Sequence, residues 1–326
     1  MSSPVPDAFS DAPAVVALGG GHGLAASLQA LRRVSDLPTA VVTVADDGGS
    51  SGRLRRELGV LPPGDLRMAL AALCGDDEWG RTWSDVVQHR FRSEGELHEH
   101  SVGNLLIVAL WELLGDSVSG LDWVARLLGA QGRVLPMSVV PLDIEALVEM
   151  PGDVLERVRG QVAVATTTGR VRSVSLLPDT PPACPQAVQA VLDADWVVLG
   201  PGSWFTSVMP HLLVPDLAAA LRTTSARRLL VLNLTAQAGE TQGLSPANHL
   251  EVLARHAPDL TLDAVLADSA AITDHASLTS AAAALGADVV LAPLARDDFP
   301  DQHDPDRLAD AFRRLFAPER LPSDRI

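Results

Sequence analysis

The sequence predicts an α/β protein: a Rossmann-like, doubly wound, mainly parallel sheet with a helical insertion and a small antiparallel extension. Three observations carry this. Short β-branched runs recur along the chain, each followed by a glycine turn and then by apolar residues at helical spacing. Strings of glycine, acid and hydroxyl residues stand where those runs end, at the sheet edge where open α/β folds bind ligands. The 326 residues, 47% of them hydrophobic, supply one large core with a smaller lobe.

Residues 1–13 are polar and carry Pro, Ser and Asp, so they read as a disordered leader and not a signal peptide; 14–326 read as one domain. The apolar run 14–18 meets G-G-G-H-G at 19–23, and Leu24, Leu28 and Leu31 follow at helical spacing: a strand, a glycine turn and a helix. A second strand over 39–45 completes a βαβ unit and ends in a turn-rich stretch. Residues 64–130 carry tryptophans and leucines at helical spacing over 65–73, 79–91, 100–114 and 121–128, which makes them the helical insertion. Strand pattern resumes at 133–140 and 143–149. Residues 160–167 and 171–177 then read as a hairpin around T-T-G-R, and these strands together, from 133 on, read as the antiparallel extension. Alternation returns with a helix over 185–193, a strand over 196–199 and G-P-G-S at 200–203 opening another helix. A strand over 229–234 ends in N-L-T-A-Q-A-G-E-T, and a helix over 246–256 follows. Strands over 264–267 and 289–293 flank an alanine-rich segment, 278–285, and an amphipathic helix over 305–316 closes the fold.

A formal net charge of −16 and a pI near 4.8 argue against nucleic-acid partners and anionic membranes, which need a positive field. The arginines must therefore act locally. Lys and Tyr are absent, which fits a GC-rich coding bias and says nothing of mechanism. Cys74 and Cys184 have no metal-ligand spacing, read as small buried thiols, and suit a reducing cytoplasm. No apolar run reaches the roughly 20 residues of a membrane span.

The chemistry concentrates in residues 41–67. A β-branched run ends in Asp46 and Asp47, followed by Gly48, Gly49, Ser50, Ser51, Gly52 and Arg53, with Arg55, Arg56 and Arg67 downstream. Glycines let a backbone approach a bound group, amides and hydroxyls donate to it, and arginines pair with phosphate oxygens. Two carboxylates cannot face a phosphate unaided, so Mg²⁺ or a ribose hydroxyl belongs between them. A solvated Gly/Ser loop is the bland alternative.

Six ordered motifs then give a resemblance: G-G-G-H-G at 19–23, D-D-G-G-S-S-G-R-L-R at 46–55, P-P-G-D-L-R at 62–67, H-S-V-G-N-L-L at 100–106, G-P-G-S-W-F-T-S-V-M-P at 200–210 and N-L-T-A-Q-A-G-E-T at 233–241. Together they resemble the YvcK family of gluconeogenesis factors, relatives of CofD, the 2-phospho-L-lactate transferase of coenzyme F420 synthesis. The resemblance spans roughly residues 14–300 and implies a Rossmann-like protein that binds a nucleotide diphosphate compound. YvcK proteins are associated with UDP-sugars such as UDP-GlcNAc, with cell-wall precursor supply, carbon metabolism and cell shape; CofD relatives are Mg²⁺-dependent transferases. Ala238 departs from the proline expected in the last motif.

Gly20, Gly21, His22 and Gly23 are expected to cradle a pyrophosphate at a helix start, although the loop is not G-x-G-x-x-G. Asp46 is assigned to Mg²⁺ or a hydroxyl, and Asp47 to the same or to orienting the loop; an acid at this place also keeps NAD(P) alive as a ligand. Asn104 shares a helix face with His100 and is the candidate for base or ribose, while Ser101 can cap that helix. Gly200, Gly202 and Ser203 offer a second anion site at a helix start. Asn233, Thr235 and Gln237, with Glu240 and Thr241 beyond them, stand where a sugar or base could be read. No nucleophile or general base stands at convincing spacing. The leading expectation is a cytoplasmic UDP-sugar-binding regulator, with a Mg²⁺-dependent CofD-like transferase and an NAD(P)-binding module as alternatives; the sequence leaves homo-oligomer formation open.

Overall fold

The computed structural model describes residues 12–237 and 240–317. The leader at 1–11 and the Ala238 departure lie outside the described residues.

The chain alternates from its start. Strand β1 (Val15–Gly19), helix α1 (Gly21–Leu31) and strand β2 (Thr39–Val42) form the first unit. Five helices then lead to β3 (Arg133–Pro136): α2 (Gly49–Leu58), α3 (Gly64–Ala72), α4 (Glu78–Gln88), α5 (Val102–Leu114) and α6 (Ser117–Leu128). The expected helical insertion is thus an enlarged crossover from β2 to β3. A small lobe follows, with β4 (Asp143–Met150), β5 (Val154–Arg159), α7 (Gln161–Ala165) and β6 (Arg170–Leu177). The chain returns through α8 (Pro185–Asp193) to β7 (Trp196–Leu199), a π-helical turn (Trp204–Val208), α9 (Pro210–Leu213), α10 (Pro215–Thr223) and β8 (Arg227–Val231). It ends with α11 (Pro246–His256), β9 (Ala264–Asp268), α12 (His275–Ala283), β10 (Asp288–Ala292) and α13 (Pro305–Phe316).

The large sheet has seven strands in the order β10-β9-β8-β7-β1-β2-β3, with every pairing parallel. Its central strands are buried along their whole length, which is why they read as unbroken apolar runs. The chain moves from β1 outward to β3, then comes back to β7 on the other side of β1 and runs outward to β10. That reversal puts the crevice for ligands at the carboxyl ends of β1 and β7.

Three expectations need correction. Residues 133–136 do not join the antiparallel extension: they pair in parallel with β2 at the edge of the large sheet. Residues 160–167 do not form a strand: Gly160 has φ +103°, and Gln161–Ala165 turn helical with Val162 N–H held by Asp47. The true partner strand is β5, and β5 and β6 flank β4 on opposite sides instead of pairing with each other. The glycine and serine string at 48–52, expected as a turn, instead starts a helix, α2. Gly-Ser-Ser-Gly is poor helix material, but packing overrides it. A Cβ on Gly52 would lie 1.9 Å from the Asp47 carbonyl, so only glycine lets that helix start so close to its own strand.

Candidate functional site

The first glycine turn lies across the end of β1 and starts α1; α2 and α3 start beside it. None of the three helices has a side-chain cap on its N-terminus. The Gly21 amide reaches the Asp65 carboxylate; the other first-turn amides have no side-chain cap, and the helix dipoles add partial positive charge at one place.

Close approach holds these ends together. A Cβ on Gly20 would lie 2.3 Å from Thr43 Oγ1 and 2.5 Å from Asp65 Oδ2, so the turn rests directly on the first acid of α3. A Cβ on Gly64 would lie 2.3 Å from Ser51 Oγ and 2.9 Å from Asp46 Oδ2, which joins α3 to α2. By contrast, Gly21 and Gly49, at φ +60° and +47°, have open space where a side chain would stand.

The two adjacent acids part company. Asp46 stays at the crevice, where Oδ1 accepts from Gly48 N at 2.9 Å. Burial lifts its pKa above the ordinary carboxylate value, with Asp47 adding to the rise and bonds from Gly48 and Ser51 opposing it. Asp47 turns to the small lobe and accepts from Val162 N at 3.0 Å. It orients the loop, and the second carboxylate beside Asp46 is Asp65. Asp65 keeps some solvent contact at the crevice floor but lies deep among protein atoms, and that burial, then the neighbouring Asp46 charge, pushes its pKa up to about 7. Arg67 is buried, with Nε unpartnered; burial and the nearby Arg90 charge pull its pKa down to about 10.

Arg53 reaches across to the carbonyls of Glu96 and His98, so it ties down the segment 89–101. Asn104 is fully buried and its Nδ2 donates to Ser50 Oγ at 3.1 Å, so it braces α2 instead of presenting itself to a base. Ser101 does not cap α5 with its side chain; its hydroxyl donates to the Val87 carbonyl.

The second glycine turn follows β7 and touches the first: a Cβ on Gly23 would lie 2.2 Å from the Pro201 carbonyl oxygen. It is not an open anion site. The Glu240 carboxylate accepts from Phe205 N at 2.9 Å and from Thr206 Oγ1 at 2.5 Å, filling the start of the π-helical turn. Asn233 takes Gly202 N at 2.9 Å and donates to Gly202 O at 2.8 Å, so it holds the turn by both ends. Ser203 makes no side-chain cap.

A cavity of about 470 Å³ opens where the two turns meet. Gly23, Gly202, Thr235, Gln237, Gln302 and His303 are among its walls. Gln237 Oε1 and His303 Nε2 are buried there without partners, and burial holds His303 down at about 4, hence neutral. Asp46, Asp65 and Arg67 are not among the cavity's lining residues, whereas Arg296 and Asp301 are. Sequence reasoning missed Asp65 and His303; the signal for Asp65 was its place in P-P-G-D-L-R, directly after a glycine.

The sequence model of the family described as 2-phospho-L-lactate transferase CofD matches residues 15–295. The chain belongs to the CofD family. Within it, the similarity runs to gluconeogenesis factors, the YvcK branch. The "Putative gluconeogenesis factor" of Mycobacterium tuberculosis (strain H37Rv) is 56% identical over 301 residues, covering 90% of this chain and 88% of the relative. The "Gluconeogenesis factor" of Listeria innocua is 36% identical over 260 residues, with 80% and 79% covered. A crystal structure of a UPF0052 family member from Bacillus halodurans superposes with a TM-score of 0.83 at 31% identity, covering 93% of this chain and 99% of that one. CofD-family membership fits the nucleotide-related ligand that the turns suggest. Among the described residues no helix is long and apolar enough to cross a membrane.

Proposed function

We propose that this CofD-family protein binds a nucleoside diphosphate compound, a UDP-sugar such as UDP-GlcNAc, and acts in the cytoplasm as a regulator of cell-wall precursor and carbon metabolism and of cell shape. The observation that carries the reading is the convergence of three uncapped helix N-termini on one crevice. The diphosphate lies across α1 and α2 at Gly21 and Gly49, with Arg67 beside it. The cavity walled by Thr235, Gln237, Gln302 and His303 takes the nucleoside, whose polar edge can meet its amide and hydroxyl side chains.

Among the described residues no group of three or more His, Cys, Asp or Glu could hold a metal by itself. Mg²⁺ at a phosphate site asks for less, since it takes one or two carboxylates and completes its shell with phosphate oxygens and water. Asp46 and Asp65 suit it: both are half-buried, repel each other, and are held above the usual carboxylate range. When bound, the ion would neutralise charge on the diphosphate. A second reading, a Mg²⁺-dependent transferase of the CofD type, is favoured by one observation, the Asp65 carboxyl near pKa 7, which can exchange a proton at neutral pH.

The test is a calorimetric and thermal-shift panel of UDP-GlcNAc, UDP-glucose, GDP and NAD(P), with and without Mg²⁺. A ligand at 100-fold its dissociation constant adds about 2.7 kcal/mol of stability. UDP-GlcNAc is expected to raise the Tm, and Asp46→Asn to abolish the rise while leaving the apo Tm within a few degrees. Absence of any response to the diphosphates overturns the reading. Product formation from a nucleotide-activated phospholactate donor and a flavin-type acceptor selects the transferase.

A further inference from the structure

We infer that His100 is a positioning residue for the N-terminus of α2, acting through Ser50 and only while its Nδ1 carries no proton. The ligand half of this inference rests on the diphosphate reading above; the structural half does not.

Ser50 is the second residue of α2 and is buried. Three groups surround its Oγ: His100 Nδ1 at 3.0 Å, Asn104 Nδ2 at 3.1 Å and Ser101 N at 3.4 Å. A side-chain NH₂ and a backbone N–H can only donate, so with Asn104 oriented this way they take both lone pairs of the hydroxyl. The one hydroxyl hydrogen is left for His100 Nδ1, which must be a bare acceptor. A proton there would set three donors against two lone pairs, and the Ser50 hydroxyl would have to give up a partner. Since Ser50 lies between Gly49 and Ser51, whose neighbours are the open turn and Asp46, that loss is felt at the amides that face the crevice.

The surroundings favour the neutral ring. The charged groups facing it are Arg53 and Glu57 on α2 and Arg90 and Glu96 on the segment that carries it; burial first, then Arg53, holds the imidazole below its usual pKa. Through Ser50 the Asn104 side chain fastens α5 to α2, and His100 ties the segment leading into α5 to the same hydroxyl. No feature of the sequence beyond the spacing of His100 and Asn104 pointed to Ser50 as their shared partner.

The experiment compares the full-length parent with His100→Asn and His100→Leu. Asparagine places an acceptor oxygen near the Nδ1 position but does not titrate; leucine has no acceptor. Hydrogen exchange of residues 46–56, corrected for intrinsic rates, is followed from pH 5.0 to 7.5. The Kd for UDP-GlcNAc is measured alongside, because that ligand has no phosphate group titrating in this range. The parent is expected to lose protection about tenfold on acidification, with affinity falling in parallel. His100→Asn should keep neutral-pH protection with a flatter profile, and His100→Leu should resemble the acidified parent throughout. The inference is overturned if His100→Asn follows the parent's pH response, or if ¹⁵N spectra place the proton on Nδ1 at pH 7.5. Protection that behaves as expected while UDP-GlcNAc fails to bind at any pH leaves His100's role intact and removes the nucleotide reading.

Discussion

Asp65, half-buried, and Glu240, buried, are both acids beside a glycine turn, and they meet opposite surroundings. Glu240 is met by a backbone amide and a hydroxyl at the start of the π-helical turn. Asp65 has Thr43 Oγ1 at a long 3.3 Å, a bond from the Gly21 amide, and the like charge of Asp46 nearby. The second turn has thus found its anion within the chain, whereas the first turn and its acids keep charge and donors in reserve. Similar residue types give a brace in one place and a binding crevice in the other, and the supply of partners makes the difference.

Replacing each acid should separate the two cases, and Asp65 carries the largest effect. Unfolded, it ionises near 3.8; folded, near 7. The folded state therefore binds the extra proton in that window, and apo stability falls as pH rises from 4 to 7. Asp65→Asn removes the penalty, so the apo protein in chelator should gain up to roughly 4 kcal/mol at pH 8 and almost nothing at pH 4. Urea unfolding at both pH values measures this, and an unchanged or lower stability at pH 8 would mean that Asp65 is adequately partnered.

The two positions within the first turn provide the next contrast. Gly23→Ala forces a methyl against the Pro201 carbonyl and should cost about 3 kcal/mol or more. Gly21→Ala meets open space and should cost only about 1 kcal/mol, the strain of a left-handed alanine, while still weakening ligand binding. Equal losses in thermal unfolding would dissolve the distinction between packed and open glycines. The effect at Glu240 falls between those of the two glycines. Glu240→Ala leaves Phe205 N and Thr206 without their acceptor, a loss of about 2 kcal/mol by calorimetry, with UDP-GlcNAc affinity unchanged. Tighter binding in that variant would make Glu240 a competitor for the ligand and not a brace.

Much of the fold was legible because local chemistry and tertiary demand agreed. The helices Pro185–Asp193, Pro246–His256 and Pro305–Phe316 begin on proline, which is preorganised for a first helical position, and they start where the sequence places them. Strand Trp196–Leu199 is a buried apolar run with a glycine after it. Where the two demands conflicted, the sequence misled. Gly49–Leu58 became a helix against the propensity of its first four residues, and Gln161–Ala165 became one although V-A-V-A alternates like a strand. At the crevice, Asp46 stood out because it ends an apolar run, but its pairing with Asp65 depends on how α3 comes back to the first turn, which no spacing announces. Asn104, Asn233 and Glu240 looked like ligand-reading side chains, yet Asn104 holds the Ser50 hydroxyl, Asn233 the Gly202 backbone and Glu240 the Phe205 amide and Thr206 hydroxyl, since a polar residue in a motif is equally fit for either task until its neighbours are known.

The cavity joins Gly23, near the start of the chain, to His303 and Pro305, near its end. A nascent polypeptide emerging from the ribosome therefore owns no complete pocket until almost its last helix has been made. On the proposed reading, nucleotide capture would report that residues 23 to 305 have been brought together, and neither half produced by itself should retain it.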